Sequence, residues 1–448
     1  MIRSLRTPLL LATMLAVSGC GVFKPSKPKT PVLGHRIPIL VAESGAEVDP
    51  ALASVEVSIP APAVNTEWTQ PGGNATHSMG NLALSASPSR VWDTKIAGGN
   101  TRARLAAAPV VSGGRVYVVD TAARLHALDA QTGREIWAVT VGDATGGKGK
   151  GDKRYTKSLF GGGVSVEGDK LFATNGLGDV AAFNTSDGST VWRKRPGGPL
   201  RGAPTLSNGN LYVMSQDNQV FALRQSDGNV EWTASGTLEV SGVFGAAAPA
   251  AGQGTVIAGF SSGELNAYRY ENGRIVWQDA LSRTSISTSV GTISDIDAEP
   301  VIDQGRVFAI GSGGRMVSLE LVTGQRIWEI NAGGIATPAI AGEWLFAVTD
   351  DARILCIARS NGKVRWATQL PRWRNQKGKK GAISWVGPVL AGGRLIAVNS
   401  RGEIAYISPM TGAVDSTVKY GKPLSLPPVV ANNTLYLLDE QGRLTAWR

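Results

Sequence analysis

The chain has little of what catalytic and metal-binding scaffolds are commonly built from. Two cysteines in 448 residues exclude a disulfide framework and a tetrahedral thiolate zinc site. The three histidines, His35, His77 and His126, are not spaced as metal ligands on one element would be. Charged residues make up only 18%, too few for a disordered polyelectrolyte or a coiled coil. No Gly-x-x-x-x-Gly-Lys-Ser/Thr phosphate loop occurs, and no Gly-x-Ser-x-Gly elbow. Gly311-Ser312-Gly313-Gly314 reads as a hairpin turn between strands. Helical periodicity is absent, and no segment approaches 18 uninterrupted apolar residues. These absences leave no catalytic residues, no metal site and no cofactor to assign.

What is present begins with an export signal. Arg3 and Arg6 precede an apolar run from Pro8 to Val17, too short for a permanent membrane span. The run ends Val17-Ser18-Gly19-Cys20, which resembles the bacterial lipoprotein signal. That resemblance implies removal of residues 1–19 and lipidation of Cys20. Gly21, in place of Asp, implies sorting to the outer membrane. The acyl chains, at ~0.8 kcal/mol per buried CH2, would anchor the protein stably. The alternative is an ordinary signal peptide with a chance Cys. Residues 20–66 read as a Pro-rich tether, basic in its first part, with one candidate docked piece at 37–42.

From about residue 85 the chain repeats. Four landmarks recur after each opening Pro (Val164 in the second unit): an aliphatic residue opening a Val-Tyr-Val-like run, a residue opening a Leu-x-Ala-Leu-like run, a turn Gly and a Trp. The first unit runs Pro109, Val116, Leu125, Gly133, Trp137, with intervals of 7, 9, 8 and 4 residues. The same intervals place Trp192, Trp232, Trp277, Trp328 and Trp366, and in the seventh unit Ser416. The eighth unit, Pro428, Leu435, Leu444, runs off the C-terminus at Arg448. Between these landmarks lie alternating, β-branched and aromatic runs bounded by Thr-Gly, Asp-Gly or Asn-Gly turns. That is the chemistry of short antiparallel strands joined by hairpins. A period of about 46 residues is that of a propeller blade. Trp92 sits where the missing outer strand of unit eight belongs. The expectation is an all-β, eight-bladed β-propeller over 67–448, with four-stranded antiparallel blades and the last blade closed by N- and C-terminal strands. Closure would remove exposed sheet edges.

The recurrent Trp is expected to pack between blades, and the seventh blade, with Ser416, to be looser. Cys356 falls where other units carry Ala or Ser, so it reads as a small-residue packing slot. Length variation is confined to the segments joining one unit's outer strand to the next unit's inner strand, 10 to 27 residues long by these landmarks. One face of the ring therefore carries elaborated loops, the layout of a binding scaffold. Two of those loops are basic, 142–157 and 371–380, and their bland reading is a solvated insertion. A third, 238–244, offers Leu, Val and Phe. The fourth, 282–299, ends in Ser294-Asp295-Ile296-Asp297, and simple turn capping is the bland reading for its acids.

The Thr/Asp-Gly-x-x-x-Trp units with Leu-x-Ala-Leu strands resemble pyrroloquinoline-quinone-type propeller repeats. Together with the lipoprotein signal and Ser-Asp-Ile-Asp-x-x-Pro, the chain resembles the BamB family of outer-membrane-protein assembly lipoproteins. The resemblance implies a non-enzymatic, lipid-anchored scaffold facing the periplasm, binding the POTRA domains of BamA and assisting insertion of outer-membrane β-barrels. Unfolded outer-membrane proteins are a further implied client. The family's paired acids map onto Asp295 and Asp297. A second family loop maps onto Ser241, Val243 and Phe244, where the family's Arg is missing and docking is more apolar. Two alternatives stay open: a quinone-dependent dehydrogenase-like propeller, and a periplasmic binding propeller of unrelated role. The net charge of +10 does not argue for nucleic acid. It is held by the signal, the tether and the two basic loops, leaving the rest of the ring mildly acidic.

Overall fold

A computed structural model describes residues 46–142, 159–200, 202–239, 247–281, 295–312 and 314–448. They lie in one compact unit, Ser44–Arg448. The architecture is the eight-bladed propeller that the repeat predicts, with eight four-stranded antiparallel sheets. In blade 1 the strands are Val110–Ser112, Arg115–Val119, Arg124–Asp129 and Glu135–Thr140, from the axis outward. Blade 8 takes three strands from the C-terminus, and its outer strand, Arg90–Lys95, comes from the N-terminal side. The pairing runs from Trp92 opposite Ala446 to Lys95 opposite Arg443. Ring closure is therefore a sheet, not a loop contact. Among the described residues the only helix is the 3-10 turn Pro50–Leu52.

The Trp and the turn Gly are two halves of one joint. Each outer-strand Trp donates its indole N–H to a carbonyl in the third-to-fourth-strand turn of the next blade. Trp232 reaches Tyr270 O at 2.8 Å, Trp277 reaches Leu321 O at 2.8 Å, and Trp92 carries the pattern across the closure to Ala130 O at 3.1 Å. The ring then lies on that turn's Gly. Gly273 has φ +67°, and a Cβ there would meet Trp232 Cδ2 at 2.6 Å. Only Gly satisfies both the left-handed backbone and the ring's close approach. Within its own blade each Trp faces a small residue across a bulge, as in Ala222 opposite Trp232 and Cys356 opposite Trp366. Cys356 is fully enclosed and burial pushes its thiol pKa up, as expected of a packing slot.

Blade 7 reverses this arrangement. Tyr406 stands opposite Ser416, so the large residue moves to the third strand and the small one to the outer strand. Tyr406 is buried against blade 8, with the Arg394 guanidinium 4.6 Å from its ring centroid. The blade that follows has no third-to-fourth-strand turn for a Trp to grip, because its third strand, Arg443–Trp447, and its outer strand, Arg90–Lys95, are not consecutive in the chain. The expected loosening is thus partly offset by Tyr406, although the outer strand Val414–Lys419 is exposed along its whole length.

Residues 46–66, expected as part of the tether, lie on the ring. Asp49 N donates to Val364 O at 2.8 Å, and Val57 is buried with Trp344 and Phe346 of blade 6. The segment then follows the inner strands in ring order. Asn65 bonds blade 8 at Val430 O (2.7 Å), Trp68 exchanges bonds with Val111 of blade 1, and Thr69 O takes Val166 N of blade 2. Gln70 bonds Leu206 of blade 3, Ala75 blade 4, Thr76 blade 5, and Leu82 blade 7. These contacts fall near the turns joining first and second strands, so residues 65–82 close the axial hole at that end.

Candidate docking face

In a closed ring of such blades, the outer-to-inner crossovers and the second-to-third-strand turns share one face. Short polar side chains cap the latter turns. Asp120 accepts from Ala122 N and Arg124 N, both at 2.8 Å, and Asn399 and Asp439 repeat the motif in blades 7 and 8. The result is a rigid rim from which longer crossovers emerge.

The crossover into blade 5 holds both candidate acids, and the structure encloses them. Asp295 is fully buried, its carbonyl accepting Ser312 N and Ser312 Oγ, both at 2.9 Å. Asp297, 7% exposed, lines the axial cavity. Neither presents an open carboxylate to an arriving partner. Val243 and Phe244, and Cys20, lie outside the described residues, as do most of loop 142–157 and residues 282–294.

The crossover from blade 6 to blade 7 is better ordered than a solvated insertion. It forms a two-stranded hairpin, Trp373–Asn375 with Lys380–Ala382. Trp373 is half-buried and the Arg372 guanidinium sits 5.3 Å from its ring. Arg374, Lys377, Lys379 and Lys380 are exposed, and no ion pair to them or to Arg372 occurs among the described residues. The hairpin is a cationic projection on the elaborated face.

Two features of the axis were not anticipated. The cavity has a volume of about 210 Å³, walled largely by Ala, Pro, Leu and Ile from the segments entering the inner strands and floored by residues 68–80. On its wall burial raises the Glu299 carboxyl to about pKa 7, against the lowering effect of its Thr337 hydrogen bond. His77 donates from Nδ1 to Pro300 O at 2.7 Å, and burial holds its pKa down at about 4. A sequence signal existed only for Glu299, two residues beyond Asp297 on the same crossover. Among the described residues no group of three acids, His or Cys could hold a metal, and no helix is long and apolar enough to cross a membrane.

The profile of the family described as outer membrane protein assembly factor BamB matches residues 78–151 and 148–368. The chain belongs to the BamB family. Relatives named outer membrane protein assembly factor BamB agree. The one from Yersinia pestis is 25% identical over 81% of this chain and 89% of its own length. The one from Escherichia coli (strain K12) is 27% identical over 79% and 87%. The crystal structure of BamB from Moraxella catarrhalis superposes with TM-score 0.66 at 16% identity, over 81% of this chain and 100% of that one. The quinohemoprotein alcohol dehydrogenase from Comamonas testosteroni superposes with TM-score 0.62 at 13% identity, over 86% and 81%. Both structural likenesses show the fold alone. The BamB family is one of assembly factors, not of enzymes, and the chain is placed in outer-membrane protein assembly on that basis.

Proposed function

We propose that this chain is a lipid-anchored scaffold of the β-barrel assembly machinery, held by Cys20 on the periplasmic side of the outer membrane, that binds the POTRA domains of BamA through its crossover face. The observation that carries this reading is the BamB family match, spread over a ring whose length variation is confined to one face. Val243 and Phe244 supply apolar contact in this proposal. Asp295 and Asp297, enclosed in the free chain, act by holding the end of crossover 282–299 in register with the rim. Rigid presentation lowers the ordering cost of binding.

The test is co-purification of BamA with tagged full-length protein from membranes. Wild type should retain BamA, and Val243→Asp/Phe244→Asp should reduce recovery at least tenfold. Asp297→Asn, which keeps the shape, should reduce it less. Unchanged recovery with the Val243/Phe244 variant would remove that loop from the interface, and no recovery with wild type would overturn the proposal.

A further inference from the structure

The axial cavity carries chemistry that docking at the rim does not use. Asp297 and Glu299 lie two residues apart on the crossover into blade 5, and both line it. Glu299 lies deep in the ring yet keeps part of its surface open, and the opening is to the cavity. Its orientation is held by Thr337, whose Oγ accepts Glu299 N–H at 3.1 Å and donates to Oε2 at 3.2 Å. That leaves Oε1 without a hydrogen bond among the described residues.

His77 shares the cavity lining at 4% exposure. Because Nδ1–H is committed to Pro300 O, the ring's other nitrogen is a bare acceptor, and Nε2 has no partner among the described residues. The imidazole is neutral, so it does not supply a competing positive charge. The cation that borders the cavity, Arg104, is exposed rather than enclosed. Leu105, Ala336, Pro388 and Leu426 make the remaining wall apolar. The volume far exceeds the ~10–15 Å³ that one water needs.

We infer that this cavity binds a small organic cation, an ammonium group carried on an apolar body. The ammonium donates to Glu299 Oε1, and the body lies against the apolar segments. A carboxylate ligand would be repelled by the Glu299 carboxylate, and an alcohol would gain the apolar contact and a hydrogen bond to that carboxylate without the ion-pair attraction. A charge-assisted bond in a partly enclosed, largely apolar site gives the ammonium its preference.

The probes are n-hexylammonium, hexanol and hexanoate, with binding to the full-length protein measured by saturation-transfer NMR titration. Hexylammonium stays charged from pH 5.5 to 8, so pH acts on the protein. At pH 8 it should bind at least tenfold more tightly than hexanol, with hexanoate weaker than both. At pH 5.5, with Glu299 protonated, its affinity should fall at least fivefold. Glu299→Gln should abolish the preference for ammonium over alcohol while circular dichroism shows the ring intact. Thr337→Val, which removes a bond that favours the ionised carboxyl, should keep the preference and move its pH midpoint upward. Hexanoate binding as well as hexylammonium, a preference that survives Glu299→Gln, or no binding at millimolar concentration would each overturn the inference.

Discussion

Replacing Gly273 by Ala should cost far more than the same change at Gly209, although the two backbones are alike. Their φ angles are +67° and +74°. A left-handed residue with a Cβ is strained by roughly 1–2 kcal/mol, and that cost applies to both. At Gly209 a Cβ meets nothing within 4 Å. At Gly273 it lands 2.6 Å from Trp232 Cδ2 and Cε3. The ring cannot easily retreat, because Nε1 is bonded to Tyr270 O at 2.8 Å and Tyr212 and Tyr268 sit 5.8 and 5.9 Å away on either side. Overpacking of this kind costs about 1–3 kcal/mol. Gly273→Ala should therefore lose about 2–5 kcal/mol and Gly209→Ala about 1–2, read from equilibrium urea unfolding. Trp232→Ala alone should lose about 3–5 kcal/mol. In that background Gly273→Ala should fall back to the strain cost, so the double variant loses about 1–3 kcal/mol less than the sum. Equal costs at the two glycines, or strict additivity with Trp232→Ala, would refute the joint.

Three further outcomes follow from the same packing and charges. Ser416→Trp should destabilise by about 1–3 kcal/mol because Tyr406 fills the space opposite it, and Tyr406→Ala in the same chain should recover part of the loss. For His126, burial lowers the pKa, but hydrogen bonds to Asp120 (3.1 Å) and Glu135 (2.6 Å) outweigh it and hold it above the ordinary value. Its contribution is complete at acid pH and fades as pH rises through the raised pKa, so His126→Gln should cost more at pH 5.5 than at pH 9 in denaturant titrations. Glu299 has the opposite sign: a carboxyl raised from 4.5 to about 7 loses stability as pH climbs between those values. Glu299→Gln should accordingly stabilise the ring by about 3 kcal/mol at pH 8 and by little at pH 4, measured as the difference between two urea curves.

The blades were legible because each turn Gly, each Trp and each small residue opposite it obeys a fixed spacing that only a repeated packing joint requires. Ser416 looked like a defect in that spacing. The complementary Tyr406 shows that volume had been moved across the strand pair, and single-position reading misses such exchanges. Residues 65–82 were not legible, since their attachment runs through backbone groups such as Trp68 N and Leu82 N and through Asn65 and Gln70 side chains. Those bonds impose no hydrophobic period. Asp295 and Asp297 were found as a pair, but a crossover sequence does not say which of its side chains turn inward. The hairpin around Trp373 was hidden for a related reason: Lys-rich stretches read as solvated whether or not their backbones pair.

The most direct test of the docking account is site-specific photo-crosslinking in intact cells. A crosslinker at Leu238, which is 70% exposed on the crossover into blade 4, or at Val243, should yield a BamA adduct. The same crosslinker at Asn208 or Met410, on turns of the opposite face, should yield none. Adducts from Asn208 and Met410 with none from Leu238 or Val243 would contradict the account.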